Sequence, residues 1–165
     1  MVPRTGGATV TYVPETAITS QRQSAQAPEA GVRLVGALLA VAVAAVHVAD
    51  QGGIMAFNSP AWIGWSYRLI EAGGVLTALL LVPRPPRFGP GWLGWAVAVP
   101  LGAGPFAAYI ISRTIGLPGD PHDVGNWAYW VGTVSLLVEA ALVMLGVCML
   151  WSQRHRLSVP ARRRA

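Results

Sequence analysis

The run Tyr129–Trp151, YWVGTVSLLVEAALVMLGVCMLW, decides the fold class of this chain. It is apolar along almost its whole length and carries one charged residue, Glu139. A helix rises about 1.5 Å per residue, so roughly 20 such residues cross the hydrocarbon core of a bilayer. A backbone in lipid must satisfy its own hydrogen bonds, and the run is therefore predicted to be a transmembrane helix.

Three more apolar runs precede it, at about Val32–Ala49, Ala61–Val82 and Trp92–Ile115. The composition agrees, since 53% of residues are hydrophobic and only 12% are Asp, Glu, Lys or Arg. A typical soluble domain has about twice that charged fraction. We therefore predict an all-α membrane fold, a four-helix transmembrane bundle over residues 31–152. Pro100 is expected to kink the third helix or loosen its first half.

Both ends of the chain are polar. Residues 1–30 are rich in Thr, Ser, Gln, Pro and Gly without helical periodicity, which predicts a disordered tail. Residues 153–165 form a basic tail. Arginines concentrate on the side of both tails and of the linker Pro83–Phe88, so the positive-inside rule places both termini in the cytoplasm. The expected location is the bacterial plasma membrane, with several passes.

The formal charge of +5 does not indicate nucleic-acid binding. Five of the twelve basic residues lie in the last twelve positions, and the others are scattered at the ends of apolar runs. Such a tail is expected to contact anionic lipid headgroups, at about 1 kcal/mol per arginine. The predicted partners are the lipid bilayer and a membrane protein or a second copy of the chain.

All seven tryptophans lie near predicted helix ends, which predicts an aromatic belt at both membrane surfaces. They are Trp62, Trp65, Trp127 and Trp130 on one side and Trp92, Trp95 and Trp151 on the other. An alternative for the first run is a signal peptide with a cleavage site at Val43-Ala-Ala45. A polar segment of about 30 residues before the run is too long for that pattern, so an uncleaved span is favoured.

Six ionisable residues lie in or against the spans. They are His47, Asp50, Arg68, Glu71, Arg113 and Glu139. A charge at mid-membrane costs roughly 2.5–3.5 kcal/mol, so these side chains are expected to face the bundle interior and to pair. Arg68 can bond Glu71 one turn away, and Arg113 with Glu139 would close a network in the outer half of the membrane. The network either joins the helices or forms a proton, ion or ligand site.

The segment Ser112–Trp127, SRTIGLPGDPHDVGNW, connects the last two runs. Pro118, Gly119, Pro121 and Gly125 predict turns. Asp120, His122 and Asp123 are compatible with binding of a divalent metal, but their spacing matches no strong zinc motif. Turn and cap chemistry is favoured, with Asn126 or Asp123 capping the fourth helix and Arg113 pairing with Asp123.

Other cofactor and enzyme chemistry finds little support. Haem held by two histidines needs two in the membrane, and only His47 qualifies. Cys148 with Met144 and Met149 is expected to be core packing rather than a soft-metal site. No nucleophile and base can be paired, so we predict a protein that is not an enzyme and needs no cofactor.

The second and fourth runs share a faint repeat. Each opens with Trp-x-x-Trp and carries Glu-Ala near its middle, at Glu71 and at Glu139. The small residues Gly73-Gly74 and Ala140-Ala141 would permit close approach of the helices.

The pattern Ser-Arg-Thr-x-Gly-Leu-Pro-Gly, then Asp-x-Gly-Asn-Trp, then a Glu in the last span resembles a family of small four-span membrane proteins of high-GC Gram-positive bacteria. The likeness covers about residues 33–151 and includes His47. It implies a fold and a membrane location, and it implies no reaction. One departure is Ala128–Gly132, where the family pattern has a Glu-Pro-Leu-Gly-like segment.

Two functions remain open on this evidence. The first is a non-enzymatic bundle whose polar cluster binds a small ligand or ion or docks a partner. The second is a small proton-coupled transporter or channel that uses Glu71 and Glu139. The first function predicts a dry, paired network, whereas the second predicts a water-filled cavity that reaches at least one of the two glutamates.

Overall fold

The computed structural model describes residues 15–82 and 91–158, which form four α-helices. They are α1 (Glu15–Asp50), α2 (Ala61–Leu81), α3 (Leu93–Thr114) and α4 (Trp130–Ser158). Around the bundle, α1 packs on α2, α2 on α3, α3 on α4, and α4 on α1. The prediction of an all-α fold with four helices is confirmed. Pro100 and Pro105 lie inside α3, which continues through both of them.

Within the described residues, three helical segments are long and apolar enough to cross a membrane. They are Glu29–Asp50, Leu93–Thr114 and Trp130–His155. Helix α2 is not among them, because its first half carries Arg68 and Glu71 together with polar Ser66 and Tyr67. The structure thus indicates a membrane protein and supports three of the four predicted spans by length and composition.

The helices at both ends of the described chain extend beyond the predicted spans. Helix α1 begins at Glu15, so residues 15–30 are helical where a disordered tail was predicted. Many of these residues are Ala, Gln, Glu and Arg, which propagate an existing helix at little cost. Helix α4 runs to Ser158, seven residues past the predicted end of its span. Residues 1–14 and 159–165 lie outside the described part, and so do the predictions made for them.

Two glycines allow close helix approach, one between α1 and α2 and the other between α3 and α4. A Cβ atom on Gly74 of α2 would lie 2.7 Å from the carbonyl oxygen of Ala40 in α1. A Cβ atom on Gly102 of α3 would lie 2.8 Å from the carbonyl oxygen of Glu139 in α4. Both distances are shorter than real Cβ contacts, so glycine is required there. The predicted role of Gly74 in close packing is confirmed.

Trp95 departs from the predicted aromatic belt. Its ring is fully buried in the core with Leu81 and Leu142, whereas the other six tryptophans are exposed. A Cβ atom on Gly36 of α1 would lie 2.6 Å from the ring of Trp95. The missing side chain of Gly36 therefore makes the space that accepts the indole, which a count of residues from the helix end does not reveal.

The bundle exposes apolar side chains and buries polar ones. Large exposed hydrophobic residues occur on all four helices, for example Leu38, Leu69, Ile111 and Leu137. Buried side chains include His47, Arg113 and Glu139. A soluble domain rarely exposes apolar surface on every side, whereas a protein surrounded by lipid does so.

The end of the bundle where α2 finishes is tied together by Arg33 of α1. Its guanidinium donates hydrogen bonds to the carbonyl oxygens of Leu80 at 3.0 Å, Leu81 at 3.2 Å and Gly91 at 2.9 Å. The last carbonyls of a helix have no partner within the helix, and a cation is favourable at that end. Arg33 thus connects α1 to the end of α2 and to the residues that lead into α3.

Candidate functional site

A cavity of about 470 Å³ lies at the opposite end, where α1 finishes and α2 and α4 begin. All four helices and the α3–α4 segment contribute to its wall. Six of the nine predicted site residues line it, namely His47, Asp50, Arg113, Asp120, Asp123 and Glu139. Arg68, Glu71 and His122 do not line it. The structure therefore brings most of the predicted cluster together around one space.

Glu139 is the most buried of these residues, with 1% of its surface exposed. Its Oε1 accepts a hydrogen bond of 2.5 Å from the hydroxyl of Ser135, one turn earlier on α4. Its Oε2 has no hydrogen-bond partner within the described residues. An unsatisfied buried polar atom costs free energy, so this carboxyl oxygen on the cavity wall is available to accept a hydrogen bond from a bound molecule.

His47 turns one ring nitrogen toward this carboxyl group. Its Nδ1 lies 2.9 Å from the carbonyl oxygen of Val43, which can only accept, so Nδ1 carries a hydrogen. Its Nε2 lies 3.7 Å from Oε1 of Glu139. In a neutral ring, Nε2 is an acceptor, and it then faces a second acceptor. A proton held by one of the two groups, or a donor from a bound molecule, removes this mismatch.

Asp50 is held by two tyrosines that the sequence analysis did not single out. The hydroxyls of Tyr67 on α2 and Tyr129 just before α4 both donate to its carboxylate, Tyr129 at 2.7 Å. The hydrogen bond to Asp50, helped by burial, raises the pKa of Tyr129 to about 12. Tyr129 therefore remains a donor at neutral pH, and the three side chains link α1, α2 and the start of α4.

Arg113 pairs with Asp123 of the α3–α4 segment, as the sequence predicted. Its guanidinium lies 4.5 Å from the centre of the Tyr109 ring, and its carbonyl oxygen accepts from the amide of Gly125 at 2.9 Å. The predicted alternative, a pair between Arg113 and Glu139, is wrong, since Nη1 of Arg113 is directed to Asp123 of the α3–α4 segment instead.

The α3–α4 segment is a series of tight turns. Gly116, Gly119 and Gly125 all have φ near +82°, a conformation that favours glycine. Leu117 and Asp120 exchange two backbone hydrogen bonds. The predicted turns are confirmed. The predicted cap is wrong, since α4 begins at Trp130, beyond the reach of Asp123 or Asn126 as its N-cap.

The loop does not form a metal site in the part of the chain that the structure describes. His122 is exposed, whereas Asp120 and Asp123 face the cavity. No group of three or more His, Cys, Asp or Glu side chains in residues 15–82 and 91–158 is arranged to hold a metal ion.

Arg68 and Glu71 form a separate polar cluster on α2. Nη1 of Arg68 lies 2.6 Å from Oε2 of Glu71, which confirms the predicted pair. Arg68 also donates to the carbonyl oxygen of Ala56, and the side chain of Gln51 donates to Oε1 of Glu71. Both oxygens of Glu71 are thus satisfied. Gln51 was missed in the sequence, although it directly follows Asp50.

The carboxyl groups of the cavity favour ligands with hydrogen-bond donors and positive charge, although Nε of Arg113 on the same wall is a buried donor without a partner among the described residues. Its wall carries four carboxyl groups and one guanidinium. Two of these carboxylates are engaged, Asp50 by tyrosines and Asp123 by Arg113. Glu139 retains an oxygen without a described partner. The site can therefore accept hydrogen bonds at its deepest point.

Comparison of the chain with known protein families, with curated proteins and with solved structures finds no match. The resemblance noted in the sequence stays a prediction, and the geometry of the cavity carries the functional argument.

Proposed function

We propose that this chain is a four-span integral protein of the bacterial plasma membrane that binds a small ligand or ion in its outer cavity and is not an enzyme. Both termini are placed in the cytoplasm, so the cavity opens to the outside. The observation that carries the proposal is the cavity of about 470 Å³ that reaches Oε2 of buried Glu139, an atom with no hydrogen-bond partner among the described residues.

The membrane part of the proposal rests on the surface of the bundle. Three helical segments have the length and apolarity of spans, and exposed apolar residues occur on all four helices. Helix α2 carries two opposite charges, but Arg68 and Glu71 neutralise each other. The cost of placing them in lipid is therefore lower than for two separate charges, which supports α2 as the fourth span.

The two polar clusters separate structural joining from binding. Arg68 and Glu71 are mutually satisfied and lie outside the cavity wall, as expected of residues that join helices. Glu139 keeps one oxygen without a partner among the described residues, and both Glu139 and His47 line open space. A polar cluster that only holds helices together has no need of such a space. This difference favours ligand binding over a purely structural role for Glu139.

Filling the cavity tests the binding proposal. Ala108 lines the cavity and Ala107 does not, although both are exposed on α3. We expect that small cations, neutral molecules or anions from a screening set raise the unfolding temperature of the wild type and of Ala107→Trp. The same compounds should leave Ala108→Trp unchanged. Equal responses of the two variants to every compound would contradict the proposal.

Cysteine labelling tests the orientation. In a Cys148→Ala background, His122→Cys places a thiol in the α3–α4 segment and His155→Cys places one near the end of α4. An impermeant maleimide added to intact cells should label the first and reach the second only after lysis. Labelling of His155→Cys in intact cells would reverse the proposed topology.

A second candidate, proton-coupled transport, is favoured by a cavity that reaches Glu139, the arrangement predicted for it, and by the two acceptors that face each other at the cavity floor. His47 and Glu139 together have room for one proton between them, at 3.7 Å. Glu71 is held by Arg68 and Gln51, so Glu139 is the carrier we assign to this mechanism. Proteoliposomes with an internal pH dye should show substrate-dependent acidification that Glu139→Gln abolishes. Binding without any proton movement would exclude transport and retain the first candidate.

A further inference from the structure

We propose that the cavity binds a small amphipathic amine in its ammonium form, with the –NH3⁺ group at Glu139 beside His47. This inference rests on the proposed ligand-binding function and names the chemical class of the ligand. Its three parts are the charge of the wall, the unused acceptors at the floor, and the apolar surface above them.

The charge of the wall selects a cation. Asp50, Asp120, Asp123 and Glu139 line the cavity, and among residues 15–82 and 91–158 Arg113 is the sole Lys or Arg side chain on the wall. Since Arg113 is bound to Asp123, its charge is compensated within the wall. Asp50 and Asp120, which have no cationic partner among the described residues of the wall, give the space an excess of negative charge, which repels anions and attracts cations.

The hydrogen-bond acceptors at the cavity floor favour a cation that has N–H donors. Oε2 of Glu139 has no partner in the described chain, and Nε2 of neutral His47 is an acceptor that faces the same carboxyl group. A primary ammonium group has three N–H donors, as a lysine side chain does. A quaternary ammonium ion has none, so it could satisfy the charge and would leave both acceptors unpaired.

A metal ion fits the wall less well than an ammonium group. Divalent cations such as calcium need about six oxygen ligands at short distances. Here Asp50 is occupied by two tyrosine hydroxyls and Asp123 by Arg113, and no cluster of three ligating side chains is found in residues 15–82 and 91–158. The acceptor atoms that remain free on the wall suit one or two directional hydrogen bonds rather than the coordination shell of a metal ion.

The remaining residues of the wall are largely apolar and favour a ligand with an apolar portion. Ile63 and Ile70 of α2, Pro105 and Ala108 of α3, and Val131 of α4 line the same space. Ligand sites of this size, within the usual range of about 300–1,000 Å³, combine apolar walls with a few placed polar groups. A short alkyl or aryl chain attached to the ammonium group would cover these side chains.

Binding of four probes of similar size tests the assignment. They are butylammonium, butanol, butyrate and tetramethylammonium, each titrated into the purified full-length protein in nanodiscs and followed by calorimetry. We expect butylammonium to bind at least tenfold more tightly than each of the others, because it alone combines charge, donors and a chain. Tighter binding of tetramethylammonium would overturn the role of the N–H donors.

Two matched variants locate the binding site. Glu139→Gln keeps the shape of the side chain and removes its charge, and it should weaken butylammonium binding by roughly tenfold or more. Glu71→Gln makes the same change outside the cavity and should keep the affinity within about twofold. Ala108→Trp leaves Glu139 in place and should also abolish binding, so the test does not depend on one variant. Unchanged affinity in Glu139→Gln would overturn the proposal.

The outcomes distinguish a failure of the amine assignment from a failure of the proposed ligand-binding function. If butyrate or butanol binds best and Ala108→Trp removes that binding, the cavity is a ligand site but the amine is the wrong class. If no probe binds the wild type and the screening set has no effect on its unfolding temperature, the amine assignment and the ligand-binding function both fail.

Discussion

Glu71 on α2 and Glu139 on α4 occupy similar depths in their helices and have different surroundings. Glu71 accepts hydrogen bonds on both oxygens, from Gln51 and Arg68. Glu139 accepts one from Ser135 and lines the cavity. The comparison teaches that a carboxyl group in a span is not by itself a site. A carboxyl group becomes a candidate site when one of its oxygens has no partner among the described residues and a cavity lies beside it, as at Glu139.

The largest effect is expected from breaking the satisfied cluster. Arg68→Leu removes the cation from Glu71 and leaves a partly buried carboxylate unpaired. The free energy of unfolding should fall by about 2–3 kcal/mol, below the cost for a fully buried pair because both side chains are partly exposed. Denaturation in detergent would measure it. The double variant Arg68→Leu/Glu71→Leu should recover most of the loss, and no recovery would contradict the ion-pair explanation.

The same substitution at the two glutamates should have unequal effects on stability. Glu71→Gln weakens a charge-assisted hydrogen bond to Arg68 and should cost about 1–2 kcal/mol. Glu139→Gln should change stability by less than about 0.5 kcal/mol or increase it, because an amide can donate toward Nε2 of His47. Parallel denaturation curves provide the measurement. Equal losses at both positions would remove the distinction between the clusters.

A smaller effect is expected where the α3–α4 segment is fixed to α3. Asp123→Asn removes the negative partner of Arg113, and because Asp123 is 40% exposed the loss should be about 1 kcal/mol. Amide hydrogen exchange should accelerate over residues 116–126 and remain unchanged in α2 at Ala61–Leu81. Uniform acceleration would indicate that Asp123 supports the whole bundle rather than this segment.

The smallest effect concerns the pH dependence of Tyr129. Its pKa is raised to about 12 by the hydrogen bond to Asp50, against about 10 in an unfolded chain. A raised tyrosine pKa stabilises the fold fully below pH 10, and this contribution is lost as the pH rises through about 12. In Asp50→Asn the pKa should fall toward 10, measured by NMR of ring-labelled tyrosine with Tyr129→Phe for assignment. An unchanged pKa would disprove the role of Asp50.

Much of the fold could be predicted from the sequence, because apolar runs and turn glycines are local signals. The four runs became four helices, and Gly119 and Gly125 lie where turns were expected. The helical start at Glu15 was missed because residues 15–30 lack apolar periodicity. The burial of Trp95 was missed because it depends on Gly36, a residue 59 positions away that leaves room for the ring.

The candidate site was predictable in its members and less so in its pairings. Charged residues in apolar runs stand out in the sequence as candidate site residues, and the pair of Arg68 with Glu71 follows from helical spacing. The contact of His47 with Glu139 joins α1 to α4 and has no signal in a single sequence. Tyr67 and Tyr129 were overlooked because tyrosines near a helix start are read as interface residues, although here their hydroxyls bind Asp50.

The hydrogen bonds of Arg33 bear on how a captured molecule could depart. They fasten α1, the end of α2 and Gly91 at the far pole of the bundle from the cavity. These bonds restrain the helices at that end, so any relative movement of the helices is expected to be larger around the cavity. Exit of a bound molecule at that end would break the three hydrogen bonds of Arg33, so departure through the cavity mouth needs less rearrangement.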